Sequence, residues 1–432
     1  MDKRESWNLD AGHVAVVENL AGEEGHPGET VATSGSALRV ITTWQGVEEL
    51  RAAWQAMQDH PNADFDFYRT VIESREEVVS PYVLAVEREG VVEAMLLGRL
   101  ERMPLEFRIG YKKVARVKAR VITIITGGCL GTSSRENDQQ FVNALLESLR
   151  HLEADAVQLH TIRVEDTLCA LAGAAPGIFG RDYFPEKRIH RRLVFSPELR
   201  QKYVSLAEGG DRHFRALRKE HADLRVEVYR DLASVPRVCR EAEEIAVKGY
   251  QRGLGAGFAN DAEHQRLLEV MARAGRLRAY FLYFDGAPRA YWIGEGYRET
   301  FYPAYTGFDA EHGKHSPGTY LFLKMAEDLS EFARLDLGLG DAPYKQRFSN
   351  QSWEEASLFI FAASPKGRLL HLLRTCTGAI SHAAERLLQR SGLLQRVKTT
   401  WKSRLRRDPP KGLGVVVQIA TCTLSTLMGW HE

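Results

Sequence analysis

One order of elements occurs twice in this chain, and it limits the folds available more than any single motif does. Residues 81–88 (PYVLAVER) and 91–100 (VVEAMLLGRL) are apolar runs on either side of Glu89-Gly90, which is a hairpin signal. A strand at Ala119–Thr126 leads into Gly127-Gly128-Cys129-Leu130-Gly131, followed by a helix over about 137–153 and a strand over 155–161. The second half repeats this. Residues 277–284 and 287–295 turn about Asp285-Gly286, a strand spans Thr300–Thr306, a helix spans about 317–332, and a strand spans 334–339. The two hairpins lie about 195 residues apart, a spacing better explained by a duplicated α/β (α+β) unit than by one large sheet.

A length of 432 residues, with 44% hydrophobic and 27% charged residues, predicts two folded domains. A net charge of +1 gives no global field to recruit nucleic acid. The five cysteines (129, 169, 239, 376, 422) form no CxxC pair, which argues against a disulfide framework or structural zinc and fits a reducing, cytoplasmic setting. Residues 1–37 read as a mobile tail without a signal-peptide core. A strand Leu38–Thr42 and a helix Val47–Asp59, with Leu50, Trp54 and Met57 on one face, follow it. The expected division is 1–37, 38–200, 201–365 and 366–432, with the linker between the folded units near 196–212. Residues 366–411 hold twelve Lys or Arg against two acids, predicting basic amphipathic helices. Residues 412–430 are apolar and only just long enough to span a bilayer. Two helices packed back on the first unit, or peripheral contact through 366–430 with the inner face of a membrane, are both compatible with this composition.

The segment Lys314-His315-Ser316-Pro317-Gly318-Thr319 opens the second unit's helix, with Ser316 suited to the N-cap and Pro317 to the first helical position. It reads either as an ordinary capped helix or as a phosphate cradle, where free N–H groups and the helix dipole both favour an anion. Asp341, Tyr344 and Lys345 follow the strand 334–339. A phenol there could protonate a departing thiolate, and an ammonium could neutralise phosphate or oxyanion charge. Packing Tyr, surface Lys and helix-capping Asp are the competing readings. Glu295, ending the second hairpin, is a general-base candidate or a solvated edge carboxylate. Arg212, Arg215 and Lys219 share a helical face, either solvated or facing an anion. His160, His190 and His315 lack metal-ligand spacing, and neither HExxH nor GxSxG occurs, so no metal is expected.

The string from Asp309 through His315-Ser316-Pro317-Gly318-Thr319 to Leu321, then Asp336, Gly340-Asp341, Tyr344-Lys345 and Phe348, resembles the acetyltransferase domain of the GNAT superfamily. The resemblance is to its cellulose-biosynthesis-associated branch, distantly related to the FemAB peptidyltransferases. It covers roughly 40–360 and is strongest over 276–348. It implies tandem GNAT-like units, each a mixed, mostly antiparallel sheet flanked by helices. The first unit would shape the acceptor cleft and the second would hold the donor. It also implies acetyl-CoA or another acyl-CoA as co-substrate, with Lys314, His315, Ser316, Gly318 and Thr319 at the pyrophosphate, and Tyr344 as general acid beside Lys345, Asp341 and Glu295. The expected reaction is acyl transfer to an amine or hydroxyl, on a sugar, envelope or exopolysaccharide precursor. Alternatives are a FemAB-type transferase fed by charged tRNA and a non-catalytic scaffold of a polysaccharide-synthesis complex.

Overall fold

A computed structural model describes residues 15–17, 35–110, 112–248 and 258–390. The chain forms two units, one built from residues up to Pro185 with Ala356–Ala379, the other from Glu186–Glu355 with residues from Ile380 on.

The first unit holds β1 (Ala15–Val17), β2 (Ser36–Ile41), β3 (Val78–Arg88), β4 (Val91–Ile109), β5 (Lys112–Gly131) and β6 (Ala156–Arg163). They lie side by side in that order, antiparallel except for the parallel pair β5–β6. Side chains alternate across a strand, so β3 feeds two cores. Val83 and Ala85 pack with Trp54, Phe65 and Tyr68 from the short helices before β3. Leu84 and Val86 pack with Phe141, Leu145 and Leu149 of helix Arg135–Arg150. The Glu89-Gly90 turn has φ of 54° and 77°, and a glycine at its second position removes the Cβ penalty of that left-handed backbone.

The second unit holds β7 (Glu186–Val194), β8 (Arg225–Tyr229), β9 (Leu277–Phe284), β10 (Ala287–Tyr297), β11 (Thr300–Phe308) and β12 (Arg334–Leu339), with the first residues of β13 (Gln351–Phe361). Their order is β7-β12-β11-β10-β9-β8. Tyr280, Leu282, Phe284 and Trp292 face Tyr320, Leu321 and Phe322 of helix Pro317–Asp328. Leu277, Ala279, Phe281, Tyr291 and Ile293 face helices Val235–Ala246 and Ala262–Arg273. β11 and β12 are parallel but pair only at Thr300–Arg334 and Phe301–Leu335. Beyond that point the two strands continue without pairing to each other, and both end next to the loops of the candidate site.

The fold matches the expected class: each unit is a mixed, mostly antiparallel sheet between helices. Several boundaries differ from the sequence expectation. Strand β7 belongs to the second unit, because its residues pair antiparallel with β12, so the boundary falls at Pro185 rather than near 200. The expected helix Val47–Asp59 is two helices, Trp44–Glu49 and Arg51–Met57. The helix expected to reach 332 ends at Asp328 and tightens to a 3₁₀ turn over Leu329–Glu331. Ala15–Val17, expected within a mobile tail, pair with β2. The ribbon of β4 and β5 is far longer than the expected strands 91–100 and 119–126.

Helix Pro365–Arg390 begins on the first unit, where Leu370 is fully buried. Lys366 pairs with Asp155 at 2.9 Å, and Arg374 donates to the Phe184 carbonyl at 2.8 Å and to Asp182 at 3.3 Å. These basic residues are therefore engaged with protein carboxylates and carbonyls. The rest of the expected basic stretch and the apolar segment 412–430 lie outside the described residues. Among the described residues no helix is long and apolar enough to cross a membrane.

Candidate active site

Asp309, fully buried at the end of β11, anchors the loop into helix Pro317–Asp328. Its carboxylate receives Arg289 Nη1 at 3.1 Å, Lys248 Nζ at 3.2 Å and the Glu311 N–H at 3.1 Å. Burial alone would raise its pKa, but these donors outweigh it and hold the carboxyl below its usual value. A 3₁₀ turn over Ala310–His315 then delivers Ser316.

Ser316 does not cap the helix with its side chain, contrary to expectation. It takes a left-handed backbone (φ 49°, ψ 51°), and its carbonyl accepts from the Thr319 and Tyr320 N–H groups at 3.0 and 3.1 Å. Pro317 has no N–H, so Gly318 supplies the remaining donor of the first turn. A Cβ at Gly318 would meet Phe308 at 3.6 Å, an ordinary contact, so glycine is not there to avoid a clash. No acidic residue occupies the first turn, which leaves the positive end of the helix dipole uncompensated.

Across the splayed strands, β12 ends at Leu339 and leads into helix Pro343–Phe348. Lys345 Nζ donates to the Leu339 carbonyl at 2.6 Å, tying that helix back to the strand end. Burial, reinforced by Arg188 and Arg191 against the pull of Asp336, pushes its pKa down to about 8. Tyr344 packs edge-on to Trp292, with ring centroids 6.0 Å apart and planes at 81°. Burial raises the phenol above its ordinary range, so it keeps its proton at neutral pH. Among the described residues, the Tyr344 hydroxyl has no hydrogen-bond partner. The Trp292 indole N–H points at the Gly318 carbonyl, 3.5 Å away. One indole on β10 therefore touches both the Gly318 turn and the Tyr344 ring.

The other expected residues separate from this pair. Asp341 is held by Arg191, whose Nε and Nη2 lie 2.6 and 2.5 Å from Oδ1. Lys314 is exposed and lies 3.9 Å from Glu220. The His315 side chain lies outside the described residues. Glu295 is only 5% exposed, so it is no solvated edge group. β10 alternates without interruption from Ala290 on, the extra residue opposite Ile293/Gly294 being Ala304 of β11, so Glu295 shares the face of Tyr291 and Ile293. A Cβ on Gly296 would strike Phe332, in the core that holds Trp292, so neighbouring Glu295 faces the opposite side, 3.8 Å from Arg276.

A buried ionic cluster escaped sequence reading. His190 on β7 shares Nε2 with Asp336 Oδ1 at 2.7 Å, and its Nδ1 lies 3.0 Å from Glu355 Oε1. Its ring stacks on Trp353 at 4.4 Å, and the Trp353 indole donates to Glu355 at 2.7 Å. Burial would lower the imidazole pKa, but bonding to two carboxylates wins and lifts it to about 9. Asp336 also receives Arg192 at 3.3 Å and the Gly338 N–H at 2.9 Å. The only sequence signal was an Asp two residues before the glycine of the Leu337-Gly338-Leu339 strand end.

The equivalent helix start in the first unit is chemically different. Ser134 caps helix Arg135–Arg150 by accepting from the Asn137 N–H at 3.1 Å, and Glu136 and Asp138 occupy the first turn. Burial, aided by Asp166, pushes the Asp138 carboxyl up to about 6. Two carboxylates at that terminus would oppose an incoming anion.

Residues 210–346 match the family model described as the acetyltransferase (GNAT) domain. The matched stretch lies in the second unit and includes Gly318, Asp341, Tyr344 and Lys345. No curated protein matches the chain. Among solved structures, the C-terminal domain of a putative lysylphosphatidylglycerol synthetase from Agrobacterium fabrum is similar at 14% identity and TM-score 0.42, over 77% of this chain and 95% of that one. FemX is similar at 12% identity and TM-score 0.43, over 67% and 90%. A tandem GNAT protein from the clavulanic acid biosynthesis pathway is similar at 16% identity and TM-score 0.41, over 67% and 85%.

Proposed function

We propose that the second unit transfers an acetyl or related acyl group from acyl-CoA to an amine or hydroxyl, with a sugar, envelope or exopolysaccharide precursor as acceptor. The observation that carries this reading is the Trp292 bridge, which sets a proton-bearing phenol beside an acid-free helix start. The Gly318 N–H and the helix dipole would favour the pyrophosphate. β11 and β12 pair with each other only at Thr300–Arg334 and Phe301–Leu335, and the splay beyond would admit an extended amide-bearing arm. The acceptor gives up a proton to water as it attacks the thioester carbon, the C–S bond breaks, and the thiolate leaves. Tyr344 gives its proton to that sulfur, while Lys345 holds the Tyr344 helix against the end of β12. The acids at the first unit's helix start favour assigning the donor to the second unit alone.

Gly318→Asp tests the donor assignment. The residue has room for a Cβ, and an acid in a first turn suits the helix itself, so the fold should persist while the anion is repelled. Calorimetry with acetyl-CoA is expected to show binding by the wild type and by Gly318→Ala, and binding at least about tenfold weaker for Gly318→Asp. Absence of binding by the wild type, or equal binding by all three, would overturn the assignment.

A further inference from the structure

In the first unit β4 and β5 continue as a two-stranded ribbon, paired from Glu101–Val121 to Ile109–Lys112, with a bulge at Phe107/Arg108. Cross-strand partners share a face. One face is apolar, with Met103, Leu105 and Phe107 opposite Ala119, Val117 and Ala115. The other brings Arg102, Arg108, Lys113, Arg116, Lys118 and Arg120 together, six cations against the single carboxylate of Glu106. Glu106 is shared by three of them, with Lys113 at 2.5 Å, Arg108 at 2.8 Å and Arg116 at 3.9 Å. Arg102 sits directly opposite Arg120, and Arg102, Arg116 and Lys118 are exposed. Like charges paired across strands cost stability unless an outside anion offsets them. Because the whole chain carries a net charge of only +1, this concentration is local.

We infer that this basic ribbon face docks on the anionic headgroups of a phospholipid bilayer. The inference is independent of the acyl-transfer reading. The face offers charge and little else. Among its described residues the face has no aromatic side chain on which a base could stack, and no Asn, Gln, Ser or Thr to read base edges. Two strands about 5 Å apart, with same-face residues about 7 Å apart along each, spread the charge into a patch that suits a plane of headgroups. Val114 at the bulge adds an apolar side chain that is 45% exposed. Each basic residue in such a cluster strengthens binding at an anionic leaflet.

The test is co-sedimentation of the full chain with vesicles of phosphatidylcholine alone or mixed with phosphatidylglycerol. The wild type is expected to partition onto the mixed vesicles only, and to release as salt shortens the Debye length. Arg116→Glu with Lys118→Glu should cut partitioning at least about tenfold with an unchanged melting profile. If that variant melts early, the neutral pair Arg116→Gln with Lys118→Gln should give a smaller loss in the same direction. A wild type that ignores anionic vesicles, or a folded variant that binds them equally well, overturns the inference. So does retardation of RNA at about 0.15 M salt, lost in the same variant, without vesicle binding.

Discussion

Tyr344→Phe is expected to lower kcat for acyl transfer by roughly 10²- to 10³-fold while leaving the KM for acyl-CoA within about threefold of the wild type. The substitution removes one oxygen and keeps the ring that packs edge-on to Trp292, so the contact joining the two halves of the site survives. In the proposed reaction the lost group is a proton donor needed only as the thiolate departs, and such a loss appears in kcat rather than in binding. Burial sets the pH signature. A general acid works while protonated, so its contribution disappears as pH rises through its pKa, and here that lies above the ordinary phenol range. Wild-type activity should therefore show no alkaline decline from this group near pH 10. Steady-state kinetics with acetyl-CoA and a model amine acceptor measure both effects. A Tyr344→Phe enzyme with wild-type kcat would remove Tyr344 from the chemistry. A rise in KM alone would make it a donor-binding residue instead.

The readable parts of this fold were those decided within a few residues. Asp285-Gly286 and Glu89-Gly90 each place a glycine where the turn needs positive φ, so both hairpins stood out. Tyr344 and Gly318 stood out as candidates because each lies a fixed step beyond a strand end in a repeated order. Other features depend on longer range. Glu295 is buried because β10 is paired on both sides, by β9 and β11, a tertiary arrangement that its local pattern does not reveal. Ser316 is a favoured capping residue, but the preceding 3₁₀ turn forces it into a left-handed backbone, where its side chain makes no cap bond. The ribbon past Leu100 was hidden by its charge, since Arg and Lys on one face dilute the apolar run even though Met103, Leu105 and Phe107 keep strict alternation. His190 meets Asp336 from 146 residues away, through the pairing of β7 with β12, and no local pattern encodes that meeting.

Removing the imidazole with His190→Gln is expected to cost the second unit about 3 kcal/mol at pH 6 and much less at pH 9. The sign follows from linkage. A histidine whose folded pKa is raised from about 6.5 to about 9 contributes fully below the unfolded value, and that contribution is lost as pH rises through the folded one. Below pH 6.5 the imidazolium balances Asp336 and Glu355, both under a tenth exposed; glutamine leaves those carboxylates facing each other without a cation between them. Lys345 acts in the opposite direction. Burial depresses its pKa to about 8, so the ammonium is unfavourable in the fold at low pH, and that cost is relieved as pH rises from about 8 to its unfolded value. Stability of the wild-type unit should thus fall between about pH 6.5 and 8, level off where the two groups overlap, and recover above about pH 9. The variant should lose the falling limb and keep the recovery. Urea melts at a series of pH values, followed by tryptophan fluorescence, read this directly, because Trp353 stacks on the His190 ring. A destabilisation of equal size at every pH would show that His190 acts through packing on Trp353 rather than through charge. His190 also fixes β7 beside the strand end from which Lys345 and Tyr344 hang. Its loss should therefore weaken acyl transfer most at the pH values where the melts show the second unit loosened.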